Sequence, residues 1–171
     1  MRRCVFFDRD GVINRAYEVN GKPRPPWKLS DIVFEDGVFK LIQNIKLRGW
    51  LTIIITNQPD AARGDVDIGT LMTIQKHIAE ELQVDDSFAC YHDDSHNCAC
   101  RKPRIGMFLA AQKKFDIDFT SSRFVGDRKS DSDASLAANI PFIWKDNGFR
   151  EAKPTSFMGR ITKTTEVIDF L

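Results

Sequence analysis

Residues 4–14 read CVFFDRDGVIN, in which four apolar residues are followed at once by two aspartates. The apolar run is typical of a short strand buried on both faces, and Gly11 allows a tight turn after it. Asp8 and Asp10 would then stand at the end of a buried strand, where carboxylates are costly unless something compensates their charge. A divalent cation such as Mg²⁺, which prefers hard oxygen ligands, would do so. The alternative interpretation is a solvated Asp-Gly turn.

Two carboxylates this close can also divide the work of catalysis. Like charges at short range raise the pKa of one carboxyl and push it toward the protonated form. One aspartate could then attack as a nucleophile while the other delivers a proton. The pair is therefore a candidate catalytic site as well as a candidate metal site.

Composition and charge exclude several classes of protein. The chain has 171 residues, of which 42% are apolar and 29% charged, so we expect one globular domain over residues 1–171. No apolar run approaches the roughly 20 residues that span a bilayer. The apolar run after the charged start is shorter than the roughly 7–15 residues of a signal peptide core. These features predict a cytoplasmic protein without membrane contact.

The balance of charges argues against a general nucleic-acid binder. Lys and Arg number 25 against 24 Asp and Glu, which gives a formal net charge of +1. A nucleic-acid-binding protein usually carries a basic excess. We therefore expect no nucleic-acid partner.

Strand-like and helix-like segments alternate along nearly the whole chain. Apolar residues spaced i, i+3, i+4 and i+7 predict a helix over residues 38–48, and a continuous β-branched run predicts a covered strand over 51–55. Further helices are predicted around 68–82, 108–115 and 132–138, and further strands around 88–91, 123–125 and 140–144. The tail, residues 165–171, reads as a short helix or a frayed end. This alternation predicts βαβ units and an α/β fold with a mostly parallel sheet.

Polar and titratable residues follow nearly every predicted strand. In open α/β sheets, ligands bind outside the carboxyl ends of the strands. The residues that would meet there are Asp8, Asp10, Thr56, Asn57, Arg101, Lys102 and Asp127. Residues 15–30 form a long, Pro-rich, basic loop in which we expect no regular structure.

Three of the four cysteines lie within eleven residues and are joined by a histidine. Cys90, His92, Cys98 and Cys100 supply three thiolates and one imidazole, the ligand set of a closed, tetrahedral, structural Zn²⁺ site. Sulfur ligands argue against Mg²⁺ or Ca²⁺ here. The alternative is a redox-active or simply reduced thiol cluster, and His96 is a competing zinc ligand. Cys4 reads as a buried structural cysteine.

Four short motifs in this order resemble those of the haloacid dehalogenase superfamily of phosphohydrolases, over residues 4 to about 145. They are Asp-x-Asp-Gly-Val from Asp8, Thr56 closing a strand, Lys102, and the acidic segment from Asp127 to Asp131. The Cys-x-His and Cys-x-Cys-Arg-Lys-Pro loop resembles the branch of heptose 1,7-bisphosphate 7-phosphatases and histidinol-phosphate phosphatases. The resemblance implies a three-layer Rossmann-like fold with a mostly parallel central sheet, no large cap domain and one structural zinc loop at about 90–100.

The resemblance also implies roles for these residues. Asp8 is the nucleophile that forms an aspartyl-phosphate, and Asp10 protonates the leaving oxygen and then activates water. Mg²⁺ is held by Asp8, Asp127 and the backbone carbonyl of Asp10, and Asp131 supports these ligands without binding the ion itself. Thr56 and Lys102 stabilise the charge on the transferring phosphoryl group.

The implied substrate is a small phosphorylated metabolite. Arg101 and Arg128 occupy positions that contact substrate in this branch, and Asn57 and Arg63 are further candidates; Arg63 could instead pair with a carboxylate. Lys22, Arg24 and Lys28 could bind a second anionic group or remain solvated. We expect a monomeric, Mg²⁺-dependent phosphatase acting on a heptose 1,7-bisphosphate or a related phosphosugar. The alternatives are histidinol phosphate, a nucleic-acid 3′-phosphate, or a non-catalytic zinc-stabilised binding protein.

Overall fold

The computed structural model describes residues 1–19 and 22–171, and within them the chain forms eight strands and four α-helices. The strands are β1 Cys4–Phe7, β2 Tyr17–Val19, β3 Lys22–Arg24, β4 Leu51–Asn57, β5 Asp86–Cys90, β6 Arg123–Gly126, β7 Phe142–Lys145 and β8 Gly159–Ile161. The α-helices are α1 Val38–Leu47, α2 Ile68–Leu82, α3 Gly106–Phe115 and α4 Lys129–Ala138. Short 3-10 turns cover Leu29–Asp31, Asp94–His96 and Thr164–Phe170.

Six of these strands form one parallel sheet in the order β5-β4-β1-β6-β7-β8. The crossover helices place the carboxyl ends of the strands along one edge. β1 lies inside the sheet, where Phe7 pairs with Ile54 of β4 on one side and Val125 of β6 on the other. The predicted α/β fold with a parallel sheet is confirmed.

Alternate residues of the strands supply the two apolar layers. Val5 and Phe7 face the layer that contains α1 and α2, whereas Cys4 and Phe6 face the layer that contains α3 and α4. Because β1 and most of β4 are buried on both faces, they read as continuous apolar runs rather than as alternating ones. The fold is therefore a three-layer sandwich, with the buried cysteine Cys4 in one of its cores.

The prediction of an irregular loop over residues 15–30 was wrong. β2 and β3 pair as an antiparallel hairpin, with Tyr17 opposite Arg24 and Glu18 opposite Pro23. Both strands of a two-stranded ribbon are edges, so a proline that lacks an N–H is tolerated there. The side chain of Lys22, predicted to contact an anion, lies outside the described residues.

A strand that was not predicted, β8, lies just before the tail. β8 adds to the sheet beside β7, and the chain then turns into the segment Thr164–Phe170. Gly159 is needed because a Cβ there would overlap with the ring of Phe170. A three-residue strand with a single large apolar residue carries too little periodicity to be recognised.

The apolar side chains of α2 do not all face the core. Ile68 and Met72 are about half exposed, whereas Leu71, Ile74 and Ile78 are buried. Among the described residues, no helix combines the length and the apolar content that crossing a bilayer requires.

We predict that Phe108→Ala lowers the free energy of unfolding by about 3–5 kcal/mol. Phe108 is fully buried and makes edge-to-face contacts with Phe6 and Phe124, at centroid distances of 5.2 and 5.0 Å. Its neighbour Leu109 is 48% exposed, so Leu109→Ala should change stability by less than about 0.5 kcal/mol. Urea unfolding measures both, and equal losses would contradict the assignment of this face to the core.

Candidate active site

Three carboxylates converge at the carboxyl end of the sheet. Asp8 follows β1, Asp127 follows β6, and Asp131 lies in the first turn of α4; one oxygen of each lies within 4.8 Å of the others. The backbone N–H of Asp8 donates to the carbonyl of Val125 at 2.8 Å, which fixes the end of β1 against β6. Asp8 and Asp127 are therefore close enough to share one ion.

The pKa values of two of these carboxylates, Asp8 and Asp127, are raised above their ordinary value. Burial raises the pKa of Asp8 to about 6, the negative charges of Asp131 and Asp10 add to the rise, and Lys102 opposes it. Burial also raises the pKa of Asp127, with Asp8 and Asp131 adding to the effect. Asp127 Oδ1 is buried and accepts no hydrogen bond from any described residue. A hard divalent cation such as Mg²⁺ fits this set of oxygens, because it supplies the missing positive charge and the missing partner.

Lys102 supplies the one ammonium in direct contact with these carboxylates in the described structure. Its Nζ donates to Asp8 Oδ1 at 2.6 Å and to the carbonyl of Ile55 at 2.9 Å, and it lies 2.7 Å from Asp131 Oδ1. The three donors of the ammonium are thus all used. Burial lowers the pKa of Lys102, but Asp131 and Asp8 outweigh that effect, so the pKa is raised and the group stays charged.

Asn57 holds the backbone of Lys102 in place. Its Nδ2 donates to the Lys102 carbonyl and its Oδ1 accepts from the Lys102 N–H, both at 3.0 Å. Asn57 lines the cleft, but both ends of its amide are already engaged. Its predicted contact with substrate stays a prediction.

Asp10 sits in a dense network of hydrogen-bond donors. Arg9 Nε and Asn14 Nδ2 donate to its Oδ1 at 3.1 and 3.0 Å. Arg9 Nη2 and Gln58 Nε2 donate to its Oδ2 at 3.0 and 2.6 Å, and Gln58 Nε2 also donates to Thr56 Oγ1 at 2.9 Å. Arg9, Asn14 and Gln58 were not predicted as site residues. The sequence offered no signal for them except that they lie next to the predicted motifs.

Two further residues, from the end of β7 and the loop after it, hold the other side of the carboxylate group. Asn147 Nδ2 donates to Asp127 Oδ2 at 3.0 Å and to the Gly11 carbonyl at 2.9 Å. The buried Lys145 donates to the same Gly11 carbonyl at 2.8 Å and pairs with Glu35 at 3.2 Å. Gly11 has a φ of 86°, and a Cβ there would overlap with the Asp127 carboxylate. No sequence motif pointed to Lys145 or Asn147.

A cleft of about 290 Å³ opens above these groups. Asp8, Thr56 and Lys102 line it, and the three arginines predicted to bind substrate stand around it. Each arginine is paired with a carboxylate other than Asp8, Asp127 and Asp131: Arg63 with Asp60 at 4.0 Å, Arg101 with Asp94 at 2.7 Å, and Arg128 with Glu151 at 3.7 Å.

The β2–β3 hairpin forms part of the wall of this cleft through Pro23 and Pro25. Arg128 Nη2 donates to the Pro23 carbonyl at 3.4 Å, and the Trp27 indole N–H donates to Asp60 Oδ2 at 2.7 Å. The guanidinium of Arg24 stacks over the Trp27 ring at 4.2 Å and is thereby held beside the cleft wall.

The predicted zinc ligands come together after β5. Sγ of Cys90, Cys98 and Cys100 and Nδ1 of His92 lie within 4.8 Å of one another, and five of their separations fall between 3.2 and 3.7 Å. A tetrahedron with Zn–S bonds of 2.3 Å has edges of about 3.8 Å, so this set fits a zinc ion. His96 instead bonds to Asp93 at 2.7 Å and lies outside the cluster.

Comparison with known proteins places this site in a family. Residues 3–157 match the sequence profile described as "Polynucleotide kinase 3 phosphatase". The chain belongs to the haloacid dehalogenase superfamily of phosphatases. The superfamily predicted from the four motifs is thus confirmed.

The relatives of this haloacid dehalogenase phosphatase include several heptose 1,7-bisphosphate phosphatases. The D-glycero-alpha-D-manno-heptose-1,7-bisphosphate 7-phosphatase of Campylobacter jejuni is 33% identical, over 98% of this chain and 95% of the relative. The D-glycero-beta-D-manno-heptose-1,7-bisphosphate 7-phosphatase of Helicobacter pylori strain J99 is 33% identical, over 81% of this chain and 79% of the relative. A crystal structure of D,D-heptose 1,7-bisphosphate phosphatase from B. bronchiseptica, complexed with magnesium and phosphate, is 25% identical, with a TM-score of 0.82 over 98% of this chain and 97% of that one.

We predict that Asp127→Asn stabilises the metal-free phosphatase by about 1–3 kcal/mol at neutral pH, because it removes an unpaired buried charge. The raised pKa of Asp127 means that the folded state disfavours the carboxylate, so this gain should shrink as the pH falls and the parent carboxyl takes up a proton. Urea unfolding in EDTA measures the effect.

Addition of Mg²⁺ provides the matching test. It should raise the melting temperature of the parent but not that of Asp127→Asn. The exposed Asp169→Asn serves as the control and should behave like the parent. A destabilised, Mg²⁺-responsive Asp127→Asn would contradict the assignment.

We also predict about one zinc per chain by elemental analysis, lost in Cys98→Ser with a fall in melting temperature of about 5–10 °C. Cys4→Ser is the control, because Cys4 is buried away from the cluster and its loss should leave the zinc in place. Zinc-free protein with an unchanged melting temperature would contradict a structural role.

Proposed function

We propose that the chain is a Mg²⁺-dependent phosphomonoesterase that removes the C7 phosphate of a heptose 1,7-bisphosphate. The observation that carries this proposal is the convergence of Asp8, Asp127 and Lys102 at the carboxyl end of the sheet, where Asp8 and Lys102 line a small cleft and Asp127 lies beside Asp8. The names of the relatives support the choice of sugar.

The reaction proceeds in two displacements. A carboxylate oxygen of Asp8 attacks phosphorus, the bond between phosphorus and the sugar oxygen breaks, and the carboxyl of Asp10 gives its proton to that oxygen. In the second step Asp10 takes a proton from water while the water oxygen attacks the aspartyl-phosphate, which releases phosphate and restores Asp8. The Thr56 hydroxyl and the Lys102 ammonium stabilise negative charge on the phosphoryl group in both steps.

Two metals complete the protein, each at its own site. Asp8, Asp127 and the Asp10 carbonyl would hold Mg²⁺, which when bound neutralises charge on the phosphoryl oxygens. Cys90, His92, Cys98 and Cys100 would hold the structural Zn²⁺. Asp131 has both oxygens engaged, by Lys102 Nζ and the Arg128 N–H, and is kept for positioning rather than for ligating an ion.

The cations around the cleft select among small phosphates. Arg63, Arg101 and Arg128 stand around the cleft, where each guanidinium would exchange its carboxylate partner for a second anionic group of the substrate, a group that histidinol phosphate lacks. A bisphosphate therefore fits better than histidinol phosphate.

We also propose an oligomeric state, a domain organisation, a cellular location and a range of partners for the protein. We take the chain to act as a monomer of one domain over residues 1–171 in the cytoplasm, without nucleic-acid partners. The six-stranded sheet, against whose two faces the four α-helices pack, supports one domain, and the net charge of +1 supports the absence of nucleic-acid partners.

We predict that the purified protein with Mg²⁺ releases phosphate from p-nitrophenyl phosphate, and that Asp8→Asn lowers this activity by at least about 10³-fold, because it removes the nucleophile. Asp169→Asn should retain full activity, and the melting temperature checks that Asp8→Asn folds. An active Asp8→Asn would contradict the assignment.

A substrate panel then tests the choice of sugar. It contains both anomers of heptose 1,7-bisphosphate, histidinol phosphate and a 3′-phosphorylated oligonucleotide, and we expect the highest kcat/KM on a heptose bisphosphate. Preference for the oligonucleotide, the function named by the matching family profile, would replace the sugar with a nucleic acid.

A further inference from the structure

The largest fully buried side chain among the described residues is an arginine inside the aspartate motif. Arg9 is 0% exposed and does not line the cleft, so it cannot touch the substrate directly. Burial of a guanidinium is costly unless its hydrogen bonds are well satisfied. A buried arginine at this place therefore calls for a function.

The contacts of Arg9 point to Asp10. Nε donates to Asp10 Oδ1 at 3.1 Å and Nη2 donates to Asp10 Oδ2 at 3.0 Å, a two-point fork that fixes the plane of the carboxylate. On its far side, Nη1 donates at 2.9 Å to Oε1 of Gln75, which is buried on α2. The guanidinium is thus braced between a helix of the outer layer and the carboxyl of Asp10.

We infer that Arg9 is a positioning residue that aims the Asp10 carboxyl at the oxygen of the leaving group, an inference that rests on the proposed phosphatase function. Proton transfer requires the donor within about 2.6–3.2 Å of its target, so a carboxyl that can rotate spends little time in range. With Asn14 and Gln58, the fork occupies all four lone-pair positions of Asp10. Gln58 can give up its hydrogen bond to Asp10 Oδ2 when that oxygen carries the reacting proton, because its amide also donates to Thr56.

A comparison of leaving groups separates this role from a general structural one. A sugar leaves as an alkoxide that needs a proton, whereas p-nitrophenolate is a stable anion that leaves without one. The ratio kcat/KM reports every step up to phosphoryl transfer to Asp8, so the later use of Asp10 as a base does not enter it. Damage to the nucleophile, the metal site or the fold lowers both values alike, but misplacement of Asp10 lowers the value for the sugar phosphate selectively.

The experiment measures kcat/KM for p-nitrophenyl phosphate and for the alkyl phosphate that the parent hydrolyses fastest. For Arg9→Met we expect the loss on the alkyl phosphate to exceed the loss on p-nitrophenyl phosphate by about 10- to 100-fold. Arg9→Lys keeps the charge but cannot form the fork, so its selective loss should remain at least about fivefold. Full rescue by Arg9→Lys, or equal losses on the two substrates in Arg9→Met, would overturn the inference.

Two further variants keep the test decisive. Gln75→Leu removes the brace without touching Asp10, and a selective loss of about 3- to 10-fold is expected; it decides the matter if Arg9→Met does not fold. Arg48→Met, on an exposed arginine at the end of α1, should leave both rates unchanged. A parent without activity on either substrate would overturn the proposed function itself, whereas an active parent with unselective losses overturns only the role of Arg9.

Discussion

The structure depends on holding two buried carboxylates and one partly buried carboxylate together, with one ammonium in contact with them among the described residues. Asp8, Asp127 and Asp131 have oxygens within 4.8 Å of one another, and Lys102 contacts only the first and the last. Net negative charge in a buried site opposes folding, so the two apolar layers must offset it. Two neighbouring residues reduce this cost: Asn147 donates to Asp127, and Gly11 leaves room for the Asp127 carboxylate. The cost is also what makes the site bind a cation, since the charge that disfavours the empty protein favours the loaded one.

The same sheet edge separates two kinds of metal ligand by chemistry. Soft sulfur ligands gather after β5 and hard oxygen ligands gather after β1 and β6, so Zn²⁺ and Mg²⁺ do not compete for one site. The two sites are nevertheless coupled through the chain, because Lys102 lies two residues beyond Cys100. Asn57 grips the Lys102 backbone from the end of β4, so the ammonium is positioned by the metal loop on one side and by the sheet on the other. A loop with few apolar residues can therefore hold the Lys102 ammonium against Asp8.

Sequence reasoning recovered the features that depend on local pattern. The buried runs of β1 and β4, the periodicity of α1 and the motifs at the strand ends are all local, and together they located Asp8, Thr56, Lys102 and Asp127. It failed where the local pattern is weak, because β8 carries too short a pattern and the β2–β3 hairpin forms in a proline-rich stretch. The hydrogen bonds of Arg9 with Gln75 and of Asn147 with Gly11 join residues 66 and 136 positions apart, which no local pattern encodes.

In the proposed function, the paired arginines around the cleft would let a highly charged site discriminate among anions. Arg63, Arg101 and Arg128 each have a carboxylate partner, so they are not free charges that attract every anion equally. Partly exposed ion pairs of this kind contribute only about 0–1 kcal/mol, so an incoming phosphate can exchange for the carboxylate at small cost. A group with two negative charges and several oxygens gains more from that exchange than a singly charged carboxylate does. Because the hairpin is tied to the same elements, through Trp27 on Asp60 and Pro23 on Arg128, binding a second phosphate there would also hold the wall of the cleft against its floor.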